Sequence, residues 1–224
     1  MCLLTHLSTI ATHDSIGLGE DGPTHQPVET AAHFRALPNL DFWRPADGNE
    51  TSASYMVAIQ SRGTPSILSL SRQNLPNLEG STIERAARGG YVLYEVDGKE
   101  DLTIVSSGSE VPIALEAASK LKNEGFEVRV VSLPCWSVFD KQDKAYRLSV
   151  LRSGAPILSL EALSTLGWQK YSHEASVECV WGYGYIDDRL QQYGLPAWGA
   201  SGPYKKVYEK FGITGESTYG HLHM

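Results

Sequence analysis

Cysteine is scarce in this sequence. Cys2, Cys135 and Cys179 are three thiols in 224 residues, too widely spaced for a disulfide framework, and no CxxC pair offers a zinc site. Such usage fits a compartment where thiols stay reduced. A basic excess is also missing. Nineteen Lys and Arg stand against 26 Asp and Glu, and the net charge of −7 argues against nucleic acid or an anionic membrane surface as a partner. It does not argue against a phosphorylated small molecule, which is read by a local cationic pocket. No apolar run approaches the length needed to span a bilayer. Residues 1–11 have no basic start and only a broken apolar stretch, so a secretory signal is not expected. These absences leave a soluble, cytoplasmic chain of one or two domains with room for a sizeable core.

What is present is concentrated in one stretch, residues 12–29, reading THDSIGLGEDGPTHQPVE. Gly17, Gly19, Gly22 and Pro23 cannot all sit inside a regular helix or strand, so the stretch is a loop. It carries two imidazoles, His13 and His25, with Asp14, Glu20 and Asp21 between or beside them. Loops on a rigid scaffold are where catalytic groups concentrate. By itself the stretch reads equally well as an exposed polar turn.

Around the loop the pattern alternates. Residues 9–11 end a strand that delivers the loop, and 27–36 read as a helix with Val28, Ala31, Ala32, Phe34 and Leu37 on its apolar face. A strand at 40–43 follows. Asp47 or Asn49 can cap a helix at 50–61, whose Tyr55, Val57, Ala58 and Ile59 are expected to face a core. The next strand, 66–70, runs almost directly into Arg72. Strands alternating with helices predict a parallel α/β sheet. Ligands of such sheets sit outside the carboxyl ends of strands, where Arg72 and the His13 loop both fall. A guanidinium there can hold a phosphate bidentately, or it can be a surface arginine paired with Glu79 or Asp47.

Residues 73–90 read as a linker. Beyond it, strands at 91–96 and 102–106 are joined by a turn at Asp97-Gly98, and Ser107-Gly108-Ser109-Glu110 leads into a helix ending near Asn123. That turn could hold an anion on its amides, or simply cap the helix. A strand at 126–133, a helix within 139–148, a strand at 155–160 and a helix at 204–211 complete the pattern. Cys135 and Trp136 are expected to pack. Residues 175–191 read as an extra surface loop, and 215–224 as a tail whose His221 and His223 are disordered.

The 12–29 string resembles the transketolase signature. The resemblance continues through Trp43-Arg44-Pro45-Ala46-Asp47, Leu70-Ser71-Arg72-Gln73-Asn74-Leu75-Pro76 and Ser107-Gly108-Ser109-Glu110-Val111, and covers about residues 11–213. It implies an α/β chain in two parts. Residues 1–75 would be a partial thiamine-diphosphate pyrimidine-binding domain with a parallel sheet, 76–89 a linker, and 90–224 a C-terminal domain with an insertion at 175–191. It further implies two-carbon ketol transfer between sugar phosphates, with thiamine diphosphate and Mg²⁺ or Ca²⁺ as cofactors. By resemblance, His13 and Asp21 are catalytic and contact the donor sugar, His13 also lies at the cofactor, and His25 and Arg72 meet the acceptor phosphate. No residue is assigned as a metal ligand. The family's diphosphate and metal contacts lie in a region not found in this chain, so a partner chain carrying them, or a homo-oligomer, is expected. The alternatives are an inert fragment and a non-catalytic partner of intact transketolase. The first strand should expose apolar surface unless another chain covers it.

Overall fold

The computed structural model describes residues 7–171 and 200–222. Its first sheet holds β1 (Ser8–Thr12), β2 (Asp41–Trp43) and β3 (Ser66–Leu70), all parallel, in the order β1-β3-β2. The helices α1 (Thr30–Arg35) and α2 (Gly48–Gln60) lie between consecutive strands. Helix α1 is shorter than the 27–36 expected. The Val28 carbonyl is taken by the Ser164 amide at 2.8 Å, which holds the backbone there against the rest of the molecule. Helix α2 is capped by Asp47, whose carboxylate accepts the Glu50 amide at 2.9 Å.

The face that α2 buries differs from expectation. Glu50, Ala53, Ser54 and Ala58 are inside, while Tyr55 is exposed and Ile59 is 73% exposed. The small side chains of Ala53, Ser54 and Ala58 let the helix approach closely, and a large-apolar criterion cannot see such a stripe. The connecting segment is also packed. It contains α3 (Ile83–Ala86), buries Leu78, Ser81 and Ala86, and is tied to α2 through Asp47, which accepts the Leu78 amide at 3.1 Å and the Ser81 hydroxyl at 3.1 Å.

The second sheet holds β4 (Tyr91–Tyr94), β5 (Leu102–Ser106), β6 (Val128–Ser132) and β7 (Ile157–Leu160) in the order β4-β6-β5-β7. Strands β5, β6 and β7 are parallel, and β4 runs antiparallel to β6. The turn at Asp97-Gly98 is therefore no hairpin, although Gly98 does adopt a φ of 98°. Strand β5 is buried along its whole length and takes a central place; β4 alternates buried and half-buried residues and suits the edge. Helix α4 (Val111–Asn123) crosses between β5 and β6 and buries Val111, Ala114, Ala117, Ala118 and Leu121.

Where one helix was expected within 139–148 there are two, α5 (Trp136–Asp140) and α6 (Lys144–Val150). The second opens at Asp143, whose carboxylate accepts the Tyr146 amide at 2.8 Å. Helix α7 (Tyr204–Lys210) matches its expectation. The tail does not: residues 215–222 form α8 (Gly215–Leu222), capped by Thr214 Oγ1, which accepts the Ser217 amide at 3.0 Å. Gly215 begins it against the Glu116 side chain of α4. His221 thus lies in a helix, whereas His223 and the 175–191 stretch lie outside the described residues.

The cores run across both sheets. Trp43 and Leu68 pack with Cys135 and Val138, and Ala46 and Ala53 pack with Tyr91, Leu93 and Val111. Cys135 and Trp136 do pack, and burial pushes the Cys135 thiol up to about 12. Strand β1 stands apart, since all five of its residues are exposed.

Candidate functional site

Thr12 at the end of β1 pairs with Leu70 at the end of β3. His13 and Arg72 therefore leave the sheet side by side at its carboxyl edge. Past His13 the chain makes two short 3₁₀ turns, Ile16–Leu18 and Pro23–His25. Ser15 caps the first, its hydroxyl accepting the Gly17 amide at 3.3 Å, and Gly19 and Gly22 supply φ values of 82° and 74°. The loop is clasped from two sides. Gly17 lies directly against the Gln73 side-chain amide, which a Cβ at that position would displace, since it would fall 2.2 Å from Nε2. Gln26 Nε2 donates to the carbonyls of Gly19 at 3.1 Å and Ala200 at 2.9 Å, and the Ser201 hydroxyl donates to the Glu20 carbonyl at 2.6 Å.

Within this frame His13 is half-buried, with a φ of 68° and its Nδ1 2.7 Å from the Thr12 hydroxyl. Asp21 and His25 lie further along the same loop and are exposed; His25 Nδ1 is 2.9 Å from the Thr24 hydroxyl. Arg72 is exposed and makes no ion pair with another described residue. A pairing with Glu79 or Asp47 is not seen, and Asp47 is already engaged by Glu50, Leu78 and Ser81.

Beneath the loop lies a charged cluster that the sequence reading did not find. Arg44 follows β2 and is completely buried. Its Nε pairs with Asp14 at 2.8 Å, its Nη1 pairs with Glu110 and donates to the Ser107 carbonyl at 2.8 Å, and its Nη2 donates to the Ser109 hydroxyl at 3.2 Å. Glu161 follows β7 and sits 3.6 Å from Arg44. It takes two 2.7 Å bonds from Arg35, one of 2.9 Å from Trp168 Nε1 and one of 2.5 Å from the Ser107 hydroxyl. Arg35 in turn lies over the Trp136 ring, 3.9 Å from its centroid. The Tyr208 hydroxyl of α7 donates to Glu110 at 2.7 Å and is 3.4 Å from Ser15 Oγ.

Three carboxylates here face two guanidinium groups, one negative charge in excess. Burial raises Asp14 above the usual carboxylate range despite Arg44. Burial also opposes ionisation of Glu161, but Arg35, Arg44 and Ser107 overrule it and hold that group at about 2. For Arg44, burial works against the charge and the surrounding carboxylates win, so it stays well above its ordinary value. The Ser107–Glu110 turn, read as a possible anion site, is thus filled by a cation of the same chain. Arg44, Glu110 and Glu161 all stand just past apolar strands, the signal that singled out Arg72, and could have been found by it. Nothing in the sequence pattern marks Tyr208.

Among the described residues no three His, Cys, Asp or Glu side chains come together as a metal site. No described helix is long and apolar enough to cross a membrane.

Residues 3–77 match the family profile described as the transketolase pyrimidine binding domain, and residues 89–214 match the transketolase-like TK C-terminal domain. The transketolase of Kluyveromyces lactis is 55% identical over 205 residues, which cover 92% of this chain and 28% of that protein. A crystal structure of transketolase from Pichia stipitis in complex with sedoheptulose-7-phosphate superposes with a TM-score of 0.84 at 53% identity, covering 95% of this chain and 29% of that one. An inactive β4 tetramer of a split-gene transketolase has a TM-score of 0.72 at 25% identity, covering 96% of this chain and 65% of that one. The chain spans little more than a quarter of the curated relative's length, and by its profiles and folds it belongs to the transketolase family.

Proposed function

We propose that this chain is one part of a thiamine-diphosphate enzyme that moves a two-carbon ketol unit between sugar phosphates, completed by another chain. The observation that carries this is the Thr12–Leu70 register, which sets His13 and Arg72 on one carboxyl edge, with Asp21 and His25 on the loop that starts there. The sugar phosphate bound in the Pichia structure supports the substrate class. The thiol usage supports a cytoplasmic location, and the division at 76–89 is carried forward as the boundary between the two parts.

The residues fit the cofactor in part. His13 has its Nδ1 engaged by Thr12, which leaves Nε2 to face a cofactor or sugar at the strand end. The described residues offer no ligand set for a divalent ion, so the diphosphate and metal would be held by the completing chain. When bound, thiamine diphosphate supplies the making and breaking of the carbon–carbon bond. This chain's side chains do the rest. His13 exchanges a proton with a sugar oxygen, a task suited to an imidazole near neutral pH. Asp21 accepts from a sugar hydroxyl. Arg72 offers a planar fork to the acceptor phosphate, with His25 beside it. The split-gene tetramer supports completion in trans, as does β1, whose exposed strand offers a surface for the completing chain.

The test mixes the purified chain with a chain carrying the thiamine-binding half. Ketol transfer is expected only in the mixture. A phosphate bond worth about 1.5–3 kcal/mol makes Arg72→Ala weaken a phosphorylated acceptor by roughly ten- to a hundredfold. An acceptor without phosphate should be unaffected; equal harm to both would make Arg72 structural. No turnover in any mixture would favour the non-catalytic reading.

A further inference from the structure

We propose that Arg44 is a positioning residue for His13, clamped by Glu110 and Glu161 and holding Asp14, the neighbour that fixes His13 in its left-handed conformation. What His13 then does to a sugar rests on the function proposed above; the clamp itself does not.

His13 and Asn39 are the only non-glycine residues of positive φ among those described. A left-handed histidine is strained, and such strain persists only where the surroundings over-determine it. The chain before His13 cannot do this, for β1 is exposed on every residue and pairs with β3 alone. The chain after it can. Asp14 and Ser15 are 4% and 0% exposed, Asp14 is held at 2.8 Å by the Arg44 Nε, and Ser15 touches Tyr208. Arg44 cannot yield, because its remaining nitrogens are committed to Glu110, Ser107 and Ser109. Gly108, at a φ of 58°, lets the turn close over it, since a Cβ there would lie 2.7 Å from the guanidinium carbon. Unpairing a buried charge costs more than relaxing one strained residue gains, so the clamp wins. The second sheet thereby contributes to the candidate site without any residue in it, through Glu110 after β5 and Glu161 after β7.

The experiment uses the isotope-labelled full chain and two substitutions. Arg44→Lys keeps the charge and loses the fork; Tyr208→Phe removes one hydroxyl from the far side of Glu110. The readouts are the His13 imidazole signals, assigned with His13→Gln, and amide exchange across residues 14–18. We expect the His13 signals to move in both variants and exchange to quicken roughly tenfold or more, with His33 on α1 unchanged. Folded variants with wild-type His13 signals and wild-type exchange would overturn the proposal. If Arg44→Lys does not fold, Tyr208→Phe decides by the same readouts. In the reconstituted enzyme, Tyr208→Phe should lower kcat and leave KM for a phosphorylated acceptor unchanged. The spectra need no turnover, so a silent wild-type mixture counts against the proposed function and not against the clamp.

Discussion

The two sheets are built from similar strands and meet different fates. Strands β5, β6 and β7 are buried at every residue, with helices over both faces. Strand β1 has five exposed residues, and Ile10 within it is 53% exposed. Parallel strands are ordinarily covered on both faces. The second sheet satisfies that rule internally, while the first satisfies it at β2 and β3, between α1 and α2, and not at β1. The first sheet's order thus depends on the seam between the sheets, where Trp43, Ala46 and Arg44 are wholly buried.

The most direct way to break the comparison is Arg44→Ala. Stranding Asp14 and Glu110 without their cation, while Glu161 keeps Arg35, should destabilise the chain by about 3–5 kcal/mol. Urea unfolding should show the first sheet lost at lower denaturant than the second. A single unshifted transition would refute the dependence. Next comes Ile104→Ala in the centre of the second sheet, fully buried and expected to cost about 2–5 kcal/mol in the same assay.

A third effect concerns pH. Glu50 of α2 sits on the seam, its carboxylate accepting from the Ala46 amide at 2.7 Å, the Tyr91 hydroxyl at 2.8 Å and the Ser132 hydroxyl at 2.6 Å. Burial outweighs these donors and raises it to about 7. Between its ordinary value and 7 the folded chain keeps a proton that the unfolded chain has released, so stability falls as pH rises through that window and is level above it. The drop is at most about 3 kcal/mol. Glu50→Gln should remove its part of that drop, leaving a slope of the same sign from Asp14. A slope unchanged by the substitution would mean Glu50 is not the group that titrates. The smallest effect is expected at Ile10→Ala, within about 0.5 kcal/mol, because little burial is lost. A larger loss would show that β1 is covered in solution.

Much of this was legible in the sequence. The β3 strand, the helix from α4's start to Asn123, and the loop carrying His13, Asp21 and His25 follow from apolar runs and punctuating glycines. So did the carboxyl-edge position of Arg72. What was missed shares a cause. Strand order is decided by competition for the centre of a sheet, so β4 passes over its sequence neighbour to pair with β6. The buried face of α2 is small and polar, and its fit to Tyr91 and Ser132 exists only after folding. The Arg44 cluster draws on residues from 14 to 208, and no local window contains it.

The turn between β5 and α4 offers a last consequence. In open α/β sheets this is the place where a ligand is received, and here its occupant is the guanidinium of Arg44. The crevice carries its own tethered cation. Such an occupant is never diluted, because its effective concentration is set by the covalent path. A soluble anion or nucleotide would have to evict a built-in plug at this crevice, and screening for ligands is better aimed at the His13 edge.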